Sequence, residues 1–211
     1  MIQTRIFRCN FIEENCYVLW DTETKNTCWV VDCGAFYPEE VQTIVDFIEK
    51  EGMKPTRHLL THGHFDHIFG AKALWEHFGV ASTLLQEEVE TYKRAPEIMR
   101  MLVPDLPEFE IPPVGELLKD GDRLHLGRYS FSAIATPGHT PGGVCYYCAE
   151  EGMLLSGDTL FKHSYGRTDL PGGNAQQLFA SLERLLQLPD DTRVLPGHGA
   201  ITRIGEERGM V

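Results

Sequence analysis

The chain has 211 residues, of which 42% are hydrophobic and 24% are charged, and its formal net charge at pH 7 is -12. This profile is that of an ordinary globular protein, and we expect one domain that spans residues 1–211. Because such an acidic surface repels phosphate backbones, nucleic acid is not expected as a partner.

The first residues of the chain do not resemble an export signal. In MIQTRIFRCNFIEENCYVLW, the polar residues Glu13, Glu14 and Asn15 interrupt the apolar run that a signal peptide needs. No other run approaches the roughly 20 apolar residues that span a bilayer. We therefore expect a cytoplasmic protein without membrane contact, whose assembly state is a monomer or a small homo-oligomer.

Strands and helices are predicted to alternate along the chain, which is typical of a layered α/β architecture. The predicted strands are short runs rich in β-branched, aromatic or leucine side chains. In chain order they are CYVLW, TCWVVDCG, RHLLTH, VASTLL, a run around Leu124, FSAIAT, VCYYCA, MLLSGD and TRVLPGH. The predicted helices are YPEEVQTIVDFIEKEG, DHIFGAKALWEHFG and AQQLFASLERLLQL.

Residues 92–115, YKRAPEIMRMLVPDLPEFEIPPVG, interrupt this alternation with a proline-rich segment. Long loops of this composition often serve as lids or binding loops. The segment is equally compatible with a plain surface crossover or with a dimer contact, and the sequence favours none of these.

Cys145 and Cys148 form a C-x-x-C pattern in the predicted strand VCYYCA. Redox pairs and zinc sites contain this pattern, but the sequence has no second C-x-x-C, and no helix start follows Cys145 to lower its pKa. We therefore interpret both as small apolar residues of a strand.

The stretch THGHFDH, residues 61–67, holds a dense group of metal-ligand side chains. His62 and His64 are two residues apart, so in an extended segment they project from the same side. Asp66 and His67 are predicted to begin the next helix, where free backbone N–H groups favour an acidic residue. One metal ion rarely takes four ligands so close together in sequence, and the motif therefore indicates two metal ions.

Three further ligand-type residues occur in a shared context. His139 in AIATPGHT, Asp158 in LLSGDTLF and His198 in RVLPGHGA each follow an apolar strand and small turn residues. If those strands lie side by side, the turns share one edge of a sheet with THGHFDH. At such an edge, α/β enzymes build sites on loops that a rigid scaffold holds.

These residues resemble a known family. THGHFDH is similar to the T-H-x-H-x-D-H signature of the metallo-β-lactamase superfamily, and His139, Asp158 and His198 match its later motifs in order and context. The resemblance implies an α/β fold of four layers, an αβ/βα sandwich with two mixed sheets between outer helices. It also implies a first metal ion on His62, His64 and His139, a second on Asp66, His67 and His198, and Asp158 as a bridge.

Within this superfamily, the stretch GDTLFKHSYGRTDLPGG looks like hydroxyacylglutathione hydrolases (glyoxalase II) and the small bacterial hydrolases similar to them. Full-length glyoxalase II enzymes carry a helical C-terminal region that helps to grip glutathione, whereas this chain ends shortly after His198. The resemblance therefore covers the metal chemistry and does not extend to the grip on glutathione.

The expected ligands are imidazoles and carboxylates, which suit Zn(II) and tolerate Fe or Mn. Two divalent metal ions about 3.5–4 Å apart lower the pKa of a bridging water toward about 7, which provides a hydroxide that attacks a carbonyl. Asp66 is expected to orient this hydroxide and is the catalytic candidate. A thiolate with a pKa of about 8.5 leaves without a strong general acid, so we expect a small-molecule thioester as substrate.

Candidate substrate contacts lie in the loop after Asp158. Arg167 is suited to pair with a substrate carboxylate, or alternatively to bond nearby loop carbonyls. Tyr165 and His163 are further candidates. His58, His77 and His125 are expected to be capping or surface residues, and the same expectation is the alternative interpretation of His163.

Three other functions compete with thioester hydrolysis. A persulfide dioxygenase with a similar GRTD loop would hold mononuclear iron with two histidines and one aspartate, leaving Asp66, His67 and His198 free of metal. A β-lactamase is disfavoured because such enzymes are exported. A phosphodiesterase that acts on RNA is disfavoured by the net charge of -12.

Overall fold

The computed structural model describes residues 1–24 and 26–209. Its first sheet contains, in chain order and in spatial order, β1 (Ile2–Cys9), β2 (Glu14–Asp21), β3 (Thr27–Val31), β4 (Lys54–Leu59), β5 (Ser82–Leu85) and β6 (Val114–Leu118). The later strands are β7 (Arg123–Leu126), β8 (Tyr129–Ala135), β9 (Val144–Cys148), β10 (Met153–Gly157), β11 (Leu160–Phe161), β12 (Ser164–Tyr165), β13 (Arg193–Pro196) and β14 (Thr202–Arg203). Of these, β11 and β12 form a hairpin, and the others form a second sheet in the order β14-β13-β10-β9-β8-β7.

Helices cover the outer face of each sheet. They are α1 (Pro38–Lys50), α2 (Ala71–Phe78), α3 (Val89–Leu102), α4 (Ala175–Leu185) and α5 (Ile204–Glu207). Over the described ranges, no helix is long and apolar enough to cross a membrane.

The alternation of side chains along the strands produces the layers. Tyr17 and Leu19 of β2 pack in the core between the two sheets, whereas Cys16 and Val18 point the other way, into a cluster with Ile44 of α1. In the same way, the outer face of the second sheet packs on α4 and α5. The predicted αβ/βα sandwich is confirmed.

The helix predicted from Asp66 begins later than expected. Asp66 and His67 lie in a 3₁₀ turn, Phe65–His67, and α2 begins at Ala71. The backbone after the turn bonds to the segment that follows β3, since Cys33 N–H donates to His67 O (2.8 Å) and Gly70 N–H donates to Cys33 O (2.9 Å). These tertiary bonds replace the first helical turn, so the prediction that both ligands start the helix is wrong.

The proline-rich segment is not a long loop, because most of its first half belongs to α3. Pro96 lies inside this helix, where proline costs about 3 kcal/mol. Tyr92, Ala95 and Met99 share the face of α3 that packs in an apolar cluster with the first sheet. Burial of a large apolar side chain stabilises by about 1.5–3 kcal/mol, so packing outweighs the cost of the proline.

The sequence analysis did not predict β1, the β11–β12 hairpin or β14. β1 pairs antiparallel with β2 along its whole length. The β11–β12 hairpin and β14 have only two residues per strand, which is too short for a period-2 pattern to be recognised.

The strands that precede the predicted ligands end at one edge of the sandwich. β8 and β10 are both antiparallel to β9, and β13 is parallel to β10, so these strands share a direction. At this edge the sheets bond to each other, because Val144 N–H donates to Thr61 O (2.8 Å) and the hydroxyl of Tyr17 donates to Pro196 O (2.6 Å). The turns therefore share one edge, as expected, but it is an edge of the sandwich and not of a single sheet, because β4 lies in the first sheet and β8, β10 and β13 lie in the second.

The contact between Trp29 and Phe131 offers a test of the central core. Their ring centroids lie 5.1 Å apart and both side chains are buried between the sheets. We expect Phe131→Ala to lower the free energy of unfolding by about 3–5 kcal/mol through the cavity it leaves. The measurement is urea denaturation of protein treated with a chelator. Phe179→Ala on the exposed side of α4 is the matched control, and an equal loss in both variants would contradict this account.

Candidate metal centre

Side chains from separate turns converge at the shared edge. Four groups have ligand atoms within 4.8 Å of one another. Three consist of predicted ligands: His62, His64 and His139; Asp66, His67 and His198; and His62, His67 and Asp158. The fourth joins His67 to Glu14 and Asp32. Asp158 lies between the first two groups, with Oδ1 3.3 Å from His67 Nε2 and Oδ2 3.6 Å from His139 Nε2. The structure thus brings together all the residues predicted as ligands.

Several of their buried polar atoms have no hydrogen-bond partner within the described part of the chain. They include Nε2 of His62, Nε2 of His139 and Oδ1 of Asp158. Buried polar atoms are normally paired, and lone pairs that converge are what a divalent cation binds. Imidazole and carboxylate ligands without thiolate suit Zn(II) and tolerate Fe or Mn. The residues therefore fit a centre of two divalent metal ions.

The other ring nitrogen of three histidines is held by an oxygen acceptor. The Nδ1 contacts are His67 with Asp32 Oδ2 (3.0 Å), His139 with Arg167 O (2.7 Å) and His198 with Ile12 O (3.1 Å). A proton on each Nδ1 leaves Nε2 as the free base directed into the site. The contacts therefore select the tautomer that binds metal.

Asp32 is a site residue that the sequence analysis missed. Its buried carboxylate accepts hydrogen bonds from the backbone N–H of Thr61 (2.8 Å) and the hydroxyl of Thr61 (2.7 Å), besides the contact with His67. Asp32 thereby fixes both ends of the THGHFDH turn. A signal was present, since Asp32 follows the apolar strand TCWVV just as Asp158 follows MLLSG.

Glu88 joins two ligand loops and has no comparable sequence signal. Its carboxylate accepts from the backbone N–H of Gly63 (2.8 Å), between His62 and His64, and from Gly142 N–H (2.7 Å) in the loop of His139. Burial raises the pKa of Glu88 to about 7, although these donors oppose the shift. Gly142 has no room for a Cβ, which would collide with the backbone of Glu88.

Asn10 and Glu14 hold the backbone near the ligand group of Asp66, His67 and His198. Asn10 Nδ2 donates to the carbonyl oxygens of Gly34 and Asp66, each at 2.9 Å. Glu14 is buried, accepts from Gly34 N–H (2.9 Å) and forms a β-bridge with His198. These contacts fix the backbone at Asp66 and His198.

The histidines of the site differ in the direction in which their surroundings shift the pKa. Burial, and then the neighbouring imidazoles, lower the pKa of His62 well below its usual value and that of His64 to about 3. Both are therefore neutral, which is the form that binds metal. For His67, burial opposes protonation, but the carboxylates of Asp158, Asp66 and Asp32 outweigh it and raise the pKa. The surplus negative charge around His67 favours a cation.

A cleft of about 400 Å³ opens over the ligands. Besides ligand residues, it is lined by Ile12, Phe65, Leu102, Phe161, Tyr165, Arg167 and Leu170. Tyr165 and Arg167 were predicted as substrate contacts, and the structure places both on this cleft. The apolar residues among them, which come from distant parts of the chain, were not predicted.

The guanidinium of Arg167 is engaged by a carboxylate two residues away. Its Nε and Nη2 donate to the two oxygens of Asp169, each at 2.6 Å. This bonding lowers the pKa of Asp169 to about 2, so the pair is fully ionised at neutral pH.

The structure does not bring His163 to the cleft. It lies in the turn between β11 and β12 with a positive φ of 57°, and its side chain is 68% exposed, 3.5 Å from Glu207 Oε2. Of the other histidines, His77 and His125 are exposed as expected, but His58 is buried, 3.2 Å from the hydroxyl of Ser82. The surface expectation for His58 is therefore wrong, and burial lowers its pKa to about 4.

The C-x-x-C residues face opposite sides of the second sheet. Cys145 packs toward α4 and Cys148 packs in the core between the sheets, because residues three apart in a strand alternate faces. Burial raises the pKa of both thiols to about 11. Their interpretation as strand residues is confirmed.

An αβ/βα sandwich with imidazoles and carboxylates at one edge defines a class of metal-dependent hydrolases. Residues 10–198 match the family model described as the metallo-beta-lactamase superfamily. The chain belongs to this superfamily, whose members are hydrolases that bind divalent metal ions, often as a dinuclear centre.

Two similar proteins share almost the whole length of the chain. Protein ML0493 of Mycobacterium leprae (strain TN) is 37% identical over 210 residues, covering 96% of this chain and 94% of the relative. Hydroxyacylglutathione hydrolase GloC of Haemophilus influenzae is 34% identical over 207 residues, covering 93% of this chain and 90% of the relative.

Solved structures share the fold over the same length. A B3 metallo-beta-lactamase, BLEG-1, superposes with a TM-score of 0.86 at 34% identity, covering 98% of this chain and 96% of its own. TTHA1623 in a di-iron-bound form gives a TM-score of 0.85 at 35% identity, covering 98% of both chains. ETHE1 from Myxococcus xanthus gives 0.79 at 26% identity, covering 99% of this chain and 82% of its own.

The role of Asp32 generates a prediction about metal affinity. We expect Asp32→Asn to weaken zinc binding by about 10–100-fold. The neutral amide is a weaker acceptor for the Nδ1–H of His67, and its NH₂ group cannot accept the hydrogen bond from the N–H of Thr61. The measurement is competition with a chromophoric chelator, with circular dichroism to verify folding. Asp46→Asn on the exposed face of α1 is the matched control, and unchanged affinity in Asp32→Asn would refute the positioning role.

Proposed function

We propose that this protein is a metal-dependent hydrolase that cleaves the thioester bond of a small molecule similar to an S-2-hydroxyacylglutathione. The observation that carries the proposal is the pair of ligand-type groups on the cleft with Asp158 between them, 3.3 Å from His67 and 3.6 Å from His139. The name of GloC, hydroxyacylglutathione hydrolase, supports this substrate class.

The proposed centre divides the ligands as the resemblance to the superfamily implies. His62, His64 and His139 would hold one metal ion, Asp66, His67 and His198 the other, and Asp158 both. Two divalent ions, Zn(II) or Fe or Mn in its place, supply the Lewis acidity that makes water nucleophilic at neutral pH.

Asp66 is the proposed catalytic residue of the chain itself. It lines the cleft, and its Oδ2 lies 3.1 Å from His198 Nε2. Burial alone would raise the pKa of Asp66, but His67 and His198 outweigh it and lower the pKa. The carboxylate is therefore ionised at neutral pH and accepts a hydrogen bond from the nucleophilic water, which orients it.

The lining of the cleft suits a leaving group that departs without acid catalysis. Among the described lining residues that are not ligands, Tyr165 and Arg167 are the polar ones. A phenol and a guanidinium are both weak proton donors. A thiolate needs no stronger acid, whereas the nitrogen of an amide needs a proton. We further propose action in the cytoplasm as a monomer or small homo-oligomer, without nucleic acid or membrane partners.

A persulfide dioxygenase remains the second candidate because of the GRTD loop, residues 166–169. That reaction would use one iron and leave Asp66, His67 and His198 free of metal. The close approach of His67 Nε2 and His198 Nε2, 3.3 Å apart, favours a second metal ion instead.

Metal content and hydrolysis together test the proposed function. We expect two divalent ions per chain, hydrolysis of S-lactoylglutathione or of another lactoyl thioester, and a loss of more than about 100-fold in His139→Ala and Asp158→Ala, since each removes a ligand. His77→Ala is the matched control and should retain the parent rate.

Each alternative has its own outcome in the same experiment. One iron per chain with oxygen uptake on a persulfide would replace the proposal with the dioxygenase. Cleavage of a chromogenic β-lactam without thioester hydrolysis would replace it with a β-lactamase.

A further inference from the structure

Above the metal ligands, the walls of the cleft are apolar. The apolar wall consists of the side chains of Ile12, Phe65, Leu102, Phe161 and Leu170 together with the aromatic ring of Tyr165, whose hydroxyl is polar. Ile12 is 45% exposed, Leu102 48% and Tyr165 39%, although large apolar side chains at a concave site are normally covered. Five segments supply the wall: the turn before β2, the 3₁₀ turn of Phe65, the end of α3, the β11–β12 hairpin and the loop between β12 and α4. Such a wall stabilises an apolar part of a ligand.

The same cleft offers no free cation among its described residues. Arg167 is the lining residue with a permanent positive charge, and both oxygens of Asp169 occupy its Nε and Nη2. The other ionisable lining groups are Tyr165 and the ligand residues themselves. A carboxylate on a substrate therefore has to compete with Asp169 for the guanidinium.

We propose that the thiol portion of the substrate of this cleft is uncharged and apolar, and that Asp169 and the apolar wall together select against glutathione. The inference rests on the thioester hydrolysis proposed above and keeps its 2-hydroxyacyl group, but it replaces glutathione with an uncharged thiol. Glutathione carries two carboxylates, and placing them against apolar side chains without a partner is unfavourable. An uncharged thiol has no charge that must be desolvated there, and burial of its apolar surface against the wall is favourable.

A pair of substrates with the same acyl group tests the preference. The lactoyl thioesters of glutathione and of 2-phenylethanethiol differ only in the thiol, and dividing each kcat/KM by the rate of alkaline hydrolysis corrects for the leaving group. We expect the zinc-loaded protein to favour the phenylethyl thioester by about tenfold or more. An equal or faster rate with the glutathione thioester would overturn the inference and leave thioester hydrolysis standing. Failure to cleave either thioester would overturn both.

Removing the competing carboxylate provides a second test. We expect Asp169→Asn to raise kcat/KM for the glutathione thioester by about tenfold, because it frees Arg167 for a substrate carboxylate. The rate for the phenylethyl thioester should stay unchanged, and the gain should shrink as ionic strength rises. Asp191→Asn makes the same change in net charge at an exposed site away from the cleft. Equal effects of the two variants would contradict the role of Asp169.

A substitution in the apolar wall gives a third test, which does not depend on the conformation of the loop that contains Asp169. Leu102→Lys adds a cation to the cleft, and we expect it to improve the glutathione thioester and weaken the phenylethyl thioester. Leu117→Lys is the matched control, because Leu117 is 47% exposed on β6 and does not line the cleft. No shift in the ratio of the two rates with Leu102→Lys would argue against the wall as the source of selectivity.

Discussion

The position of His67 among three carboxylates is the constraint on which the site depends. Its Nδ1 lies 3.0 Å from Asp32, and its Nε2 lies 3.3 Å from Asp158 and 3.6 Å from Asp66. Carboxylates this close repel one another strongly where water is excluded. A positive charge among them removes the conflict, which is why the pKa of His67 is raised and that of Asp158 is lowered. The fold has to hold these charges together against their repulsion.

The two sheets meet this demand through buried hydrogen bonds to the backbone at the shared edge. Asp32 bonds the start of the THGHFDH turn, Glu88 bonds Gly63 and Gly142, and Asn10 bonds the carbonyl of Asp66. Each of these side chains is buried and comes from a different part of the chain from the loop it holds. The loops of a centre held in this way have little freedom to move, so the ligand atoms keep the short separations that a metal ion needs. The apolar core holds the strands rigid, and the buried polar side chains fix the positions of the loops that carry the ligand atoms.

Local patterns were sufficient to predict which ligand-type side chains converge, because THGHFDH is dense in them and His139, Asp158 and His198 each follow a buried strand and a small turn residue. Asp32 has the same context, but a lone aspartate after a strand carried no second signal. Glu88 lies in no pattern, since its role depends on two loops that meet only in the folded chain. The helix α3 was missed for the same reason. Pro96 indicated a loop, whereas the helix is stabilised by packing of Tyr92 and Met99 against the first sheet, which the local sequence does not reveal. His163 and Tyr165 differ because the hairpin turn directs the first toward Glu207 and leaves the second on the cleft.

The ligands and the wall of the cleft differ in how firmly the fold determines them. Replacing a ligand or one of its buried partners disturbs charges and hydrogen bonds inside the sandwich. The side chains of Ile12, Leu102 and Tyr165 are partly exposed and lie outside these buried bonds, although the backbone carbonyl of Ile12 contacts His198 Nδ1. Replacing these side chains is therefore expected to change the shape and polarity of the cleft more than the ligand positions. A protein named as a hydroxyacylglutathione hydrolase and one named as a B3 metallo-beta-lactamase are each 34% identical to this chain, so membership of the superfamily does not determine the substrate. Because the side chains of the wall lie outside the buried network, they are the part of the site in which substrate preference can change without a change of the buried contacts.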